Sequence, residues 1–416
     1  MLLIYLIVFL LFYITSNVGK RPTFKVILLI YLSAIVCACC LWFFVPDITR
    51  RYPLYRPAIL YHVVVLVLMM LPLKRYDRII APEKISITYE TLRPFFVGII
   101  VLSLITILSA FVTYYLIFSS GVSILEGRTM SISGDSFVRI VKPHGSILSH
   151  ISAIASEVSY LALFFAFLVA YKYPTHFRMF KWLLISSLAA IFHQLEWFGR
   201  ENIVRFFLDG IIVLVIFWPL FSDIIKKKIT KIILIFVIGF GIIFSYITID
   251  RFGEGSGHDY GPIYSVFFYF GQGFLYYSPI YRAYDGLIGR TNGKTIFAAF
   301  YPDSERGSIF NLASTYMGSI DIPHNIFPTY VGSFVSDLGA IPALIPFALL
   351  IVFFLLVSKM KSDNIFTYIY ILWIYRFFTQ GVFYWIDTWN NGDRLLCFVL
   401  IIILNFIYNT HRAHKY

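Results

Sequence analysis

The chain has 416 residues, of which 59% are hydrophobic, 19% aromatic and only 13% charged, with a mean hydropathy of +0.79. That balance excludes a water-soluble globular protein, because no core of this size could hide so much apolar surface. The formal net charge of +12 has an ordinary source in basic loops facing anionic lipid, and does not imply nucleic acid.

Apolar runs such as Phe95–Ser119, Ile147–Tyr171, Ile232–Ile249 and Ile341–Val357 match the roughly twenty helical residues that one bilayer crossing needs. In chain order the hydropathy predicts spans near 1–17, 24–45, 57–73, 94–119, 146–171, 180–197, 202–221, 231–249, 332–357, 364–386 and 393–409. The fold class is therefore all-α: a polytopic membrane bundle of about 11 helices, with residues 1–416 forming a single integral domain. The run Met1–Ser16 lacks a preceding basic residue and a small-residue cleavage site, so it reads as a retained helix. Orientation follows from the loops. One alternating set carries 19 Lys and Arg, among them Lys74, Lys181, Lys226, Lys227, Lys228 and Lys361; the short loops of the other set carry nine. The positive-inside rule then places the N-terminus outside and the C-terminus inside.

Between the eighth and ninth spans, residues 250–331 are too many for a connector, and loops of such length are usually functional. The stretch opens with Asp250 and Arg251 followed by a glycine-rich segment. Residues 263–283 are then apolar and aromatic but interrupted by Gly271, Gly273 and Pro279. They predict a re-entrant or interfacial helix, two further short crossings being the alternative. Downstream, Asp321-Ile322-Pro323-His324-Asn325 leads to Asp337-Leu338-Gly339 at the start of the ninth span. A neutral imidazole is the usual side chain for removing a hydroxyl proton near neutral pH, which makes His324 the candidate base; an ordinary polar loop role is the alternative.

A second cluster, Glu196-Trp197-Phe198-Gly199-Arg200-Glu201, continues to Arg205 and Asp209. Charges at a membrane surface are paired or functional. The spacing of four between Glu196 and Arg200, Glu201 and Arg205, and Arg205 and Asp209 offers internal ion pairs. The competing reading turns one or more guanidiniums towards an anion, with Arg251 and Arg282 as further candidates, since the planar fork suits phosphate oxygens. His193 and Glu196 stand three apart, but two ligands do not make a metal site. Tyr276, Tyr277, Tyr281 and Tyr284 fit an interfacial aromatic belt as well as a sugar-stacking surface. The four cysteines show no metal spacing or disulfide framework, and no nucleotide-binding loop is visible.

This plan resembles Wzy-type O-antigen polymerases, which are similar in turn to O-antigen ligases. The resemblance rests on the helix number, one large outward loop late in the chain, the loop-end pattern His324-Asn325 followed after eleven residues by Asp337-Leu338-Gly339, and the stretch Tyr277-Ser278-Pro279-Ile280-Tyr281-Arg282. It implies a GT-C-like, inverting glycosyltransferase needing neither metal nor cofactor. Its place would be the bacterial inner membrane, and its large loop would be periplasmic. Donor and acceptor would be glycans linked to undecaprenyl pyrophosphate, with a chain-length regulator as a further partner. Carried across, His324 acts on the acceptor hydroxyl, and Arg200, Arg205, Arg251 and Arg282 are the pyrophosphate candidates. Asn325, Tyr277 and Asp337 support the site. A ligase handing glycan to lipid A core, or a flippase for lipid-linked oligosaccharide, are the alternatives. Irregular backbone concentrated in one outward loop argues for surface chemistry over passage.

Overall fold

The computed structural model describes residues 1–16, 22–45, 53–122, 126–127, 130, 137–143, 145–197, 199, 201–252, 261–292, 294, 328–383, 397 and 399–406. Among them there are helices and no strands. Among the described residues six helices are long and apolar enough to cross a bilayer, and Leu2–Thr15 and Leu344–Val357 are shorter apolar helices. The chain is thus a multi-pass helical membrane protein. It divides into two compact units, Met1–Ala81 with Ile263–Leu395, and Pro82–Pro262 with Leu396–Tyr416.

The first unit opens with α1 (Leu2–Thr15), α2 (Thr23–Phe44), α3 (Arg56–Met70) and α4 (Leu73–Ile79). The chain then builds the second unit from α5 (Tyr89–Ser120), α6 (Phe137–Val141), α7 (Ile147–Lys172), α8 (Phe177–Ser186), α9 (Ala189–Leu195), α10 (Glu201–Phe217) and α11 (Asp223–Phe252). It returns to the first with α12 (Gly261–Ala283), α13 (Thr329–Leu338), α14 (Leu344–Val357) and α15 (Ile365–Gly381).

In the second unit α7 is the axis. Its most apolar window is 83% buried, against 11% for α11, so α7 carries the packing while α11 shows most of its surface to lipid. Phe165 meets Phe95 and Phe96 of α5, and Phe164 meets Phe217 of α10. Polar side chains in α5 bond to their own helix: Thr106 to Leu102 O at 3.1 Å and Thr113 to Ser109 O at 3.1 Å. Lipid offers no such partner, so the helix supplies it. Thr88 caps the start of α5 through Thr91 N–H, and Gly121 ends it at φ 69°, a left-handed cap that suits glycine.

The predicted span 180–197 is two helices, α8 and α9. At the break, the Ser186 hydroxyl donates to Trp182 O at 2.8 Å and that of Ser187 to Leu184 O at 2.6 Å. Such back-bonding competes with the regular ladder. The predicted span 332–357 is likewise interrupted after α13, where Gly339 sits at φ 95°.

In the first unit α12 forms over the stretch predicted as a re-entrant or interfacial helix, but much of it is interior. Phe274, Leu275, Tyr276, Tyr277 and Ile280 are all buried. At Gly271 the helix runs against α2 so closely that a Cβ would lie 2.6 Å from Ala38 N. The missing side chain is what lets the two backbones meet. Phe274 packs against Tyr5 and Tyr31. Farther along the unit, Asp77 accepts from Thr23 Oγ1 and from Phe24 N–H at 3.3 Å, placing a carboxylate on the positive end of α2. Tyr76 donates to Phe354 O at 2.6 Å and Tyr31 to Phe378 O at 3.1 Å, tying α4 to α14 and α2 to α15.

Candidate functional site

The residues that follow α12 fold back onto the end of α13. Ala340 N–H donates to Tyr284 O at 2.8 Å, and Arg290 N–H donates to Ser336 O at 2.7 Å. Two glycines make the approach possible. A Cβ on Gly289 would lie 2.2 Å from Asp337 O, and one on Gly339 would lie 2.7 Å from Gly286 O. Any side chain at either position would force the segments apart.

This crossing brings two charges together, one buried and one half-buried. Asp337, in the last turn of α13, is 1% exposed and accepts from Thr291 Oγ1. Beside it stands Arg290, whose Nε is buried without a hydrogen bond. Burial pulls the guanidinium below its usual pKa, and Asp337 opposes that pull. A guanidinium carries five N–H donors in a fixed fork, so this cation keeps capacity for an anion.

At the other end of α13, Thr329 adopts φ 63°, rare for a β-branched residue. It is held there by its N–H to Phe383 O at 2.8 Å and by its hydroxyl to His62 Nε2 at 3.0 Å. His62 is fully buried in α3, with Nδ1 2.8 Å from the Tyr5 hydroxyl. Its ring stacks on Tyr277 at 3.9 Å between centroids. Both ring nitrogens are thus engaged, and the imidazole is a fixed strut between α1, α3 and α13. The hydroxyls of Tyr277, Tyr330 and Ser336 and both amide atoms of Gln380 are buried without a hydrogen bond. Tyr330 lies against α15 at Gly381, where a Cβ would come within 2.6 Å of its ring.

Of the residues singled out from sequence, Asp337 and Tyr277 belong to this region, Asp337 at the crossing and Tyr277 on His62. Arg282 is exposed at the end of α12. Arg251 is helical in backbone within α11. Arg205, in the second unit, donates from Nη2 to Glu201 Oε1, so the spacing of four supplies an ion pair there. Glu196 is also taken: Lys142 Nζ lies 2.7 Å from each of its oxygens. His193 Nδ1 stands 3.6 Å from that carboxylate. Burial lowers the Lys142 pKa and Glu196 counteracts it. His324, Asn325 and Arg200 lie outside the described residues. Among those described, no three His, Cys, Asp or Glu are grouped to hold a metal ion.

Arg290 and His62 escaped sequence reasoning. The signal for His62 was available, since a lone ionisable residue inside an apolar span is a functional candidate by default. Comparison with protein families, curated proteins and solved structures finds no match to this chain.

Proposed function

We propose that the protein is a membrane glycosyltransferase that lengthens glycans carried on undecaprenyl pyrophosphate, a Wzy-like polymerase of about 11 spans acting on the outer side of a bacterial inner membrane. The observation that carries the reading is Arg290: a half-buried arginine whose Nε is enclosed without a hydrogen bond, held beside Asp337 at the break that ends α13. In such a transfer the acceptor hydroxyl attacks the anomeric carbon and forms the new glycosidic bond. The bond to the pyrophosphate oxygen breaks, and the leaving group departs with the electron pair. The hydroxyl proton passes to a base, the role proposed for His324. Charge grows on the leaving pyrophosphate, and a fixed cation aimed at it lowers the barrier. Arg290 joins Arg282 and Arg251 as a candidate for that cation. Arg205 is the weaker candidate, because Glu201 already occupies it.

The test is reconstitution of the purified protein in vesicles with an undecaprenyl-pyrophosphate-linked repeat unit. A ladder of lengthened lipid-linked glycan, abolished in His324→Ala, is the expected result. No ladder, with glycan passing once to lipid A core, would mean a ligase; glycan crossing the vesicle without new bonds would mean a flippase.

A further inference from the structure

The lipid-facing helix α11 does not lie flat on the second unit. Between it and α7, α8 and α10 is a recess of about 210 Å³ whose walls include Leu163, Phe180, Phe206, Gly210, Ile229 and Phe236. The lining is apolar throughout. Apolar cavities of this kind exclude water, so in a bilayer the recess fills with hydrocarbon.

One end of the recess is chemically distinct. Ile229, one of its walls, directly follows Lys226, Lys227 and Lys228 in α11. Phe180 is preceded one turn earlier by Phe177, the two rings lying 4.9 Å apart. Lys228 Nζ sits 5.2 Å from the centre of the Phe177 ring, and Lys181 Nζ sits 5.8 Å from the same centre. Two ammonium groups from different helices therefore lie close to one aromatic ring that packs against a wall of the apolar recess. Among the described residues no carboxylate pairs with either lysine; the nearby Asp223 is 3.7 Å from Lys226 instead. Aromatic faces attract cations, but they leave the net positive charge in place.

We infer that this is a binding site for an anionic phospholipid of the surrounding bilayer, one acyl chain in the recess and the phosphate between Lys181 and Lys228. The paired charge and the apolar recess next to it match the anionic headgroup and the acyl chain of such a lipid. The site shares no residue with those proposed for glycan transfer, and glycan transfer does not bear on it.

The experiment uses the full-length protein in detergent, stripped of lipid and titrated with dioleoylphosphatidylglycerol or dioleoylphosphatidylcholine, with binding read by native mass spectrometry. The wild type should prefer phosphatidylglycerol, and K181Q/K228Q should lose that preference by about thirtyfold, the factor that two lysines near an anionic headgroup supply. G210L, which builds into the recess where the nearest atom to a Cβ is 3.9 Å away, should weaken both lipids and leave their ratio unchanged. Unaltered preference in K181Q/K228Q would overturn the proposal, as would unaltered affinity for both lipids in well-folded G210L. Should G210L fail to fold, the lysine pair alone decides. Stronger binding of undecaprenyl phosphate than of phosphatidylglycerol would also overturn it, in favour of a polyprenyl occupant.

Discussion

The two units differ in how they treat buried charge, although both leave some polar atoms without a hydrogen bond: in the second unit these are the Ser103 and Ser152 hydroxyls and His193 Nδ1. In the second unit, Lys142 meets Glu196 with side chains 2% and 0% exposed, and Arg205 meets Glu201 within one helix. In the first unit, Arg290 Nε, the Gln380 amide and the Tyr277 and Tyr330 hydroxyls are buried without a hydrogen bond. An unmet buried polar group costs about 1–3 kcal/mol, and several in one region are hard to keep without compensation. Paired charges are a structural device. Unpaired polar groups are available to a ligand's own polar atoms, so the proposed function would put its chemistry in the first unit and its framework in the second.

The largest effect should come from the framework. Lys142→Met leaves Glu196 as a buried charge without its cation, and losing one member of such a pair costs about 3–5 kcal/mol. Thermal unfolding in detergent should show that loss. The double variant Lys142→Met/Glu196→Leu should recover most of it, because apolar side chains of similar volume replace a buried pair at little cost. If the single variant were as stable as the wild type but inactive in glycan transfer, the pair would belong with the chemistry and the division between units would collapse.

Arg290 should behave in the reverse manner. Arg290→Ala is expected to leave the amount of membrane-inserted protein unchanged and to slow chain growth by about 10²–10³-fold, the usual cost of removing one preorganised electrostatic donor. Arg290→Lys should recover only part, having lost the fork that addresses two oxygens at once. Poor insertion of Arg290→Lys, with normal growth per molecule inserted, would make Arg290 a structural partner of Asp337 and nothing more. Lys142→Met supplies the control: it should reduce protein amount and spare turnover per molecule inserted.

How far these roles could be read from sequence depended on the distance between partners. The Arg205–Glu201 pair was visible because helical periodicity alone brings residues four apart together. Lys142 and Glu196 are separated by 54 positions, and His62 meets Tyr5 and Thr329 across 57 and 267; no local pattern marks such contacts. Arg290 sits in the polar stretch Asp285–Lys294, where an arginine reads as solvated. The enclosure of its Nε comes from Gly289 and Gly339 allowing two segments to touch, a tertiary event. Helix type was legible from apolar runs, but interruptions were not. Gly339 is followed by Ala340, Ile341, Pro342 and Ala343, apolar enough for hydropathy to run straight through the break. The aromatic stretch of α12 was legible as a helix, whereas its depth was set by the contact of Gly271 with Ala38.

The smallest expected effect tests the comparison most directly. Gln380 is 2% exposed, and neither its oxygen nor its nitrogen has a hydrogen bond. Gln380→Leu keeps a side chain of similar reach and removes the amide. Where a buried polar group is unmet, such a change relieves its desolvation cost, so the variant should be more stable than the wild type by about 1 kcal/mol. If that amide meets a sugar hydroxyl, the same variant should also raise the KM for the lipid-linked acceptor several-fold while leaving kcat within about threefold, since the lost contact would serve ground and transition states alike. Higher stability together with weaker acceptor binding is the signature of a group retained for a ligand. A loss of stability with unchanged KM would mean that the amide is satisfied inside the folded protein and is not kept for a ligand.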